Sequence, residues 1–281
     1  MARACFEPHR SENPASEPLR SEANQQLVDR AFLRPPAELP EATTTRSSVR
    51  SHNHQGNLAR LMVQSAQDSG VTSLPDRRAS LWTYYDRRAP DYDGGVDGAY
   101  RYFRSLGLNV DLEAVRAERR AVTRELARLG RCAFVDVGAG PGVFTEEIPG
   151  RGFAIDQSEN ALRLLRAQVA AVPVIRGDAT ALPLCANAVT RLFAGHLYGH
   201  LEAAERTMFL AETRRVAEEL VILDSGRPPG ARSEEWQTRR LPDGSTHTVY
   251  KRHFDIDVLL AEVGGQPLFG GRYFVLVKSI A

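Results

Sequence analysis

The chain of 281 residues is 42% hydrophobic, enough apolar side chain for one large core or two small ones. Its 36 Lys and Arg against 35 Asp and Glu leave a net charge of +1, which gives no electrostatic basis for a nucleic-acid or membrane surface as partner. Cys5, Cys132 and Cys185 have no short pairing, so neither a disulfide framework nor a metal site is expected, and no apolar run approaches the ~20 residues of a membrane helix.

In chain order, residues 1–76 are rich in Pro, Ser, Glu, Arg and Thr, as in PPAELPEATTTRSS, and show little sustained apolar periodicity. Such a stretch buries too little surface to offset its ordering entropy, so a weakly structured tail is expected, with short helices allowed at Gln25–Leu33 or Leu58–Gln67. Met62 is an alternative start, and the opening MARACFEPHRS lacks the apolar block of a secretion signal, which points to the cytoplasm. Order is expected from residue 77 to 281, beginning with the aromatics Trp82, Tyr84, Tyr85, Tyr92, Tyr100, Tyr102 and Phe103 and a helix over Leu112–Leu129 that ends at Gly130.

From Cys132 onward, the short apolar runs CAFVDV, FAID, VPVIRGD, AVTRLFAG and LVILDS alternate with helical patterns. Strands alternating with helices require right-handed crossovers and a parallel sheet covered on both faces. Beyond them, WQTRRLPDGSTHTVYKRHF predicts an inserted hairpin near 232–254 that turns at Pro242-Asp243-Gly244. DIDVLLAEVGG predicts a short helix stopped by glycine, and QPLFGGRYFVLVKSI an antiparallel pair turning at Gly270-Gly271. The fold expected is therefore α/β, a Rossmann-like doubly wound, mostly parallel sheet closed by an antiparallel C-terminal hairpin.

Three strand ends carry chemistry. Asp136-Val137-Gly138-Ala139-Gly140-Pro141-Gly142 follows an apolar strand and precedes a predicted helix over Val143–Ile148 of about two turns. Glycines there let the backbone turn tightly and approach a ligand, although a turn of this kind also serves simply to pack a strand against a helix. Asp156, 20 residues after Asp136, ends FAID, where a carboxylate accepts from both hydroxyls of a ribose; without a ligand it reads as a cap on the next helix. Asp178 in RGDATALPL ends the third strand, placed to accept from an adenine amino group while the backbone beside it donates to the ring.

VDVGAGPG, AIDQSENAL and GDATALPL resemble the leading motifs of class I S-adenosylmethionine-dependent methyltransferases, most nearly those of the small-molecule group that includes the quinone-biosynthesis enzymes. The likeness runs from about Tyr84 to Ala281, since YYDRRAPDYD is similar to the aromatic segment such enzymes fold over the donor. It implies a seven-stranded sheet, S-adenosyl-L-methionine as cofactor and a small-molecule acceptor methylated on O, C or N. It further implies that Asp136, Gly138, Ala139, Gly140 and Gly142 meet the amino-acid part of the donor and Asp156 with Gln157 the ribose. Asp178 and Ala179 would meet the adenine, Ala194 would line the site at the fourth strand, and Tyr84 and Tyr85 would help to close it. The segment from Gly142 to Asp156 is shorter than the family's, and Val189-Thr190 stands where the family often has Phe-Asp.

Two other readings stay open: a non-catalytic donor-binding protein, and a nicotinamide-binding oxidoreductase. The latter needs Gly-x-Gly-x-x-Gly, whose third glycine position is here Val143. For a methyl acceptor that must lose a proton, the candidate bases are His196 and His200 in GHLYGHL, which would share a face if a helix starts there. No HExxH pattern accompanies them, so no metal is expected. His247, His253, Tyr250 and Trp236, in or near the inserted hairpin, are candidates for the acceptor pocket.

Overall fold

Apolar residues at every position of Val135–Val137 and Phe153–Ile155 but one demand burial on both faces, and the chain answers with a central sheet between two helical layers. The computed structural model describes residues 17–32, 74–92 and 95–281. Seven strands, β1 (Cys132–Val137), β2 (Gly150–Asp156), β3 (Val174–Arg176), β4 (Val189–Gly195), β5 (Ala217–Ser225), β8 (Gln266–Gly270) and β9 (Phe274–Ile280), lie in the order β3-β2-β1-β4-β5-β9-β8. β1 to β5 pair in parallel, whereas β9 runs antiparallel to both β5 and β8. The order reverses between β1 and β4, where the loops after the two strands part and leave a crevice at their carboxyl ends.

On one face, Val135, Phe153, Ile155, Leu192 and Ile222 pack under Phe209 and Val216 of α6 (Ala203–Val216), Leu259 of α7 (Ile256–Val263) and Ala31 of α1 (Glu17–Phe32). On the other, Phe134, Phe193, Val221 and Leu276 pack under Phe103 of α3 (Val96–Ser105) and Val115, Val122 and Leu126 of α4 (Leu112–Arg128). α5 (Glu159–Gln168) adds Leu165 beside Ala154. α4 begins at Asp111, whose side chain accepts from the amides of Glu113 and Ala114.

α1 forms within the stretch whose composition predicts a tail, and it docks onto the sheet. Asn24 is buried there: its Oδ1 accepts from Gly152 N at 3.0 Å and its Nδ2 donates to Ala171 O at 2.8 Å. Polar composition hides this contact because the docking stripe is short, Leu27, Val28 and Ala31 on the core side with one buried amide, Asn24, a turn before them. The other helix considered in that stretch, at Leu58–Gln67, lies outside the described residues.

Two local expectations are corrected. Gly142 is followed by a single 3-10 turn at Thr145–Glu147 instead of a two-turn α-helix. Pro149 explains the difference: it forces Ile148 to extended backbone, ψ 117°, and the chain must reach β2 at Gly150. The C-terminal pair turns over residues 271–273 rather than at Gly270-Gly271, and Glu118 of α4 fixes that turn by accepting from the amides of Arg272, Tyr273 and Phe274. A separate two-stranded ribbon, β6 (Glu234–Arg240) and β7 (Thr246–Arg252), occupies the region of the predicted hairpin, with Gly244 at φ 89° in its turn. Among the described residues no helix is long and apolar enough to cross a membrane.

Candidate active site

The crevice is built on the glycine loop. Gly138, Gly140 and Gly142 have φ of 70°, 56° and 94°, a region in which a side chain is strained. Gly138 N and Ala139 N both donate to Ile155 O, which ties the loop to β2. A Cβ on Gly140 would meet nothing within 4 Å, so this backbone faces open space in the cleft; one on Gly142 would meet Leu165 at 2.9 Å, so that glycine serves packing.

Three carboxylates surround the loop with different tasks. Asp156 bridges it: Oδ2 accepts from Gly140 N and Oδ1 from Ser158 N, each at 2.8 Å, and burial raises its pKa against these bonds. Asp178 Oδ1 accepts from both N and Oγ1 of Thr180. Asp156, Gln157, Asp178 and Ala179 all line the cleft together with Gly138, Ala139 and Gly140. Asp136 does not; it lies beneath the loop, its Oδ2 accepting from Thr145 Oγ1 at 2.7 Å, and burial pushes its pKa up to about 7. Ala194 also stands off the wall: strand alternation turns it into the core, while Gly195 and His196 reach the cleft.

α2 (Leu74–Arg88) covers the cleft with Leu81, Trp82, Tyr85 and Arg88. It is fastened by Asp86, which accepts from Ser158 Oγ at 2.8 Å, Asn160 N at 3.0 Å and Asn160 Nδ2 at 2.7 Å. Consecutive helical residues point about 100° apart, so Tyr84 and Tyr85 cannot both face the site. Tyr85 does; Tyr84 packs against Leu241 and Val249 of the ribbon. The Tyr85 hydroxyl is inaccessible to solvent and has no hydrogen-bond partner among the described residues, and burial raises its pKa.

His196 and His200 line the cleft but do not share a helix face. His196 ends β4 in the left-handed region, φ 55°, and Tyr198–His200 is a 3-10 turn. His196 Nδ1 lies 3.5 Å from Ser225 Oγ and 3.9 Å from Asp224 Oδ1, which leaves Nε2 on the side away from that carboxylate. Asp224 is fully buried and accepts from Gly199 N, Ser225 N and Lys251 Nζ at 2.7, 2.7 and 2.9 Å. Burial alone would raise its pKa, but Lys251 and His196 hold it well below the usual carboxylate range. His200 Nδ1 lies 2.9 Å from Tyr250 O; a carbonyl only accepts, so Nδ1 carries the proton and Nε2 keeps its lone pair. Burial pulls the His200 pKa well below 6.5 and keeps the ring neutral.

A second cavity adjoins the cleft and shares His196, His200, Arg88 and Tyr92 with it. Tyr102, Phe103, Ser225, Arg239, Lys251 and Phe274 complete much of its wall. Of the hairpin candidates none lines either cavity. His253 Nδ1 donates to Arg232 O and its Nε2 accepts from the Tyr102 hydroxyl at 2.9 Å, with burial lowering its pKa to about 4. Tyr250 donates to Glu234, Trp236 packs edge-on against Tyr250, and His247 packs against Tyr84.

Sequence patterns overlooked Asp224, Lys251, Tyr102 and Arg239. Asp224 carried a signal, an acid near the end of LVILDS like Asp156 at the end of β2. Lys251 carried a weaker one, being one of two lysines, with Lys278, in an Arg-rich chain. Arg239 carried none. No group of three or more His, Cys, Asp or Glu able to hold a metal ion occurs among the described residues.

Residues 134–219 match the family model described as a methyltransferase domain. No curated protein matches the chain. Among solved structures, the DhpI-SAM-HEP complex is similar with a TM-score of 0.55 at 18% identity, covering 74% of this chain and 99% of that one. The DhpI-SAH complex gives 0.54 at 18% identity, covering 74% and 97%. An S-adenosylmethionine-dependent methyltransferase from Mesorhizobium loti gives 0.43 at 17% identity, covering 59% and 98%. The first two share the overall fold described above.

Proposed function

We propose that this chain, an S-adenosylmethionine-dependent methyltransferase by its methyltransferase domain and its cleft, transfers the methyl group to a small-molecule acceptor seated in the second cavity. One observation carries the reading: a single cleft joins the Gly138–Gly140 backbone, Asp156, Asp178 and Ala179, and it meets a second cavity at His196 and His200. The likeness of VDVGAGPG, AIDQSENAL and GDATALPL to quinone-biosynthesis methyltransferases supports the same acceptor class. The neighbours named DhpI are complexes with SAM or SAH, consistent with the same donor here.

The residues present fit the donor. Gly140 offers bare backbone to the cleft, and Asp156, whose two oxygens accept from the amides of Gly140, Gln157 and Ser158, keeps lone-pair capacity for a ribose hydroxyl. Asp178 and Ala179 stand at the far wall, where an adenine would meet an acceptor and a donor side by side. When bound, S-adenosylmethionine supplies a methyl group on a sulfonium, a good leaving group. The enzyme's task is then mainly alignment in a dry pocket, and α2, fastened through Asp86, excludes water from above. His196 takes the acceptor proton where one must leave, and Asp224, behind Nδ1, stabilises the charged ring.

A dinucleotide is disfavoured, because the 3-10 turn after Gly142 provides no α-helix N-terminus for a pyrophosphate. The test is donor titration together with methyl-transfer counting over a broad acceptor panel. One donor bound per chain and turnover with a small acceptor are expected; binding without turnover across the panel would instead assign the cleft to a non-catalytic donor-binding protein.

A further inference from the structure

We propose that the acceptor carries an oxyanion, a carboxylate or a phosphate-type group, and that Arg239 receives it in the second cavity. The proposal rests on the methyltransferase reading and narrows its substrate class.

Arg239 comes from β6, whose alternate residues Glu235, Gln237 and Arg239 are half-buried, with Val249 and Lys251 as their neighbours across the ribbon. Its guanidinium lines the second cavity, yet no ion pair joins it to a carboxylate among the described residues. Its bonds instead go to neutral oxygens: Nε and Nη2 donate to Gln237 Oε1 at 3.1 and 2.7 Å, and the Tyr84 hydroxyl is a further partner. Gln237 is itself held, its Nε2 donating to Tyr102 Oη at 3.1 Å and to Glu235 Oε1 at 2.8 Å. The fork is therefore oriented, and with five N–H donors it retains capacity for a planar or tetrahedral oxyanion.

Of the other two cations on that wall, Lys251 Nζ pairs with Asp224 at 2.9 Å and the Arg88 guanidinium lies over the Tyr92 ring, 4.9 Å from its centroid. Arg239 is the one whose fork is oriented by neutral oxygens, so its charge is the one a bound anion would answer. His200 lines both cavities and its ring stays neutral, so it sets no competing charge beside the fork. An acceptor held by its anionic group at Arg239 would present its other end toward His196, which also lines both cavities.

The experiment uses the full chain saturated with S-adenosylhomocysteine, titrated calorimetrically with inorganic phosphate and, separately, with acetate. Saturable binding of at least one anion is expected, and the tighter of the two identifies the oxyanion type. R239Q should weaken it at least tenfold while the S-adenosylhomocysteine affinity stays within twofold; R239K, which keeps charge but loses the fork, should fall between. No binding of either anion by the wild type, or wild-type affinity in R239Q, would overturn the proposal. Failure of S-adenosylhomocysteine itself to bind would instead strike the donor reading.

Discussion

Asp136 shows how a residue beside a ligand site differs from one in it. Its sequence position, just before the first glycine, marks it for donor contact, but the side chain turns under the loop to Thr145. Burial raises its pKa from 3.8 to about 7, so the native state holds a proton that the unfolded chain loses above pH 4. Stability from this group therefore falls as pH rises from about 4 to 7, by an amount on the order of 4 kcal/mol when fully expressed. Asp136→Asn, which still accepts from Thr145, should accordingly gain more stability at pH 8 than at pH 4.5 in urea melts. Equal gains at both pH values would contradict that assignment. At His196 the expectation concerns rate: His196→Ala should leave donor affinity within about twofold and reduce turnover by roughly 10²–10⁴ for an acceptor that must lose a proton. His200→Ala should cost less, because burial makes His200 a weak base and its Nδ1 is committed to Tyr250 O. Undiminished turnover in both variants would remove the base from the mechanism.

At the scale of elements, strand ends were the most legible part of the chain. CAFVDV, FAID, AVTRLFAG and LVILDS appear as β1, β2, β4 and β5 because continuous apolar runs bounded by Gly, Asp and Ser have few other solutions. What failed was decided by single contacts. Pro149 stops the helix after Gly142, helical geometry lets Tyr85 but not Tyr84 face the cleft, and the left-handed backbone of His196 breaks the helix that would have aligned it with His200. None of these is periodic, so no pattern announces them. Asp86 is the same kind of residue, an acid in an Arg-rich segment whose oxygens fasten α2 to the start of α5. Asp86→Ala should loosen α2 over the cleft, raising hydrogen exchange in α2 and weakening donor affinity by about tenfold, while β1 to β5 keep their protection. Unaltered exchange in α2 would show that its apolar contacts alone hold it.

For the whole molecule, the alternation of strands and helices foretold the mostly parallel sheet and its antiparallel C-terminal end, whereas the reversal of strand order between β1 and β4 appears only in the structure. The second cavity was not legible, because Tyr102 lies more than 130 residues from Arg239 and Lys251 and meets them only when the ribbon packs against α2 and the Tyr198–His200 turn. The account as a whole depends on one nucleoside binding across three strand ends. Calorimetric titration of the wild type and Gly140→Val with S-adenosylhomocysteine tests this most directly, since valine at φ 56° is strained and its side chain projects into the cleft. One molecule bound per wild-type chain and none by the variant is the expected result; no binding by the wild type, or undiminished binding by the variant, would contradict it.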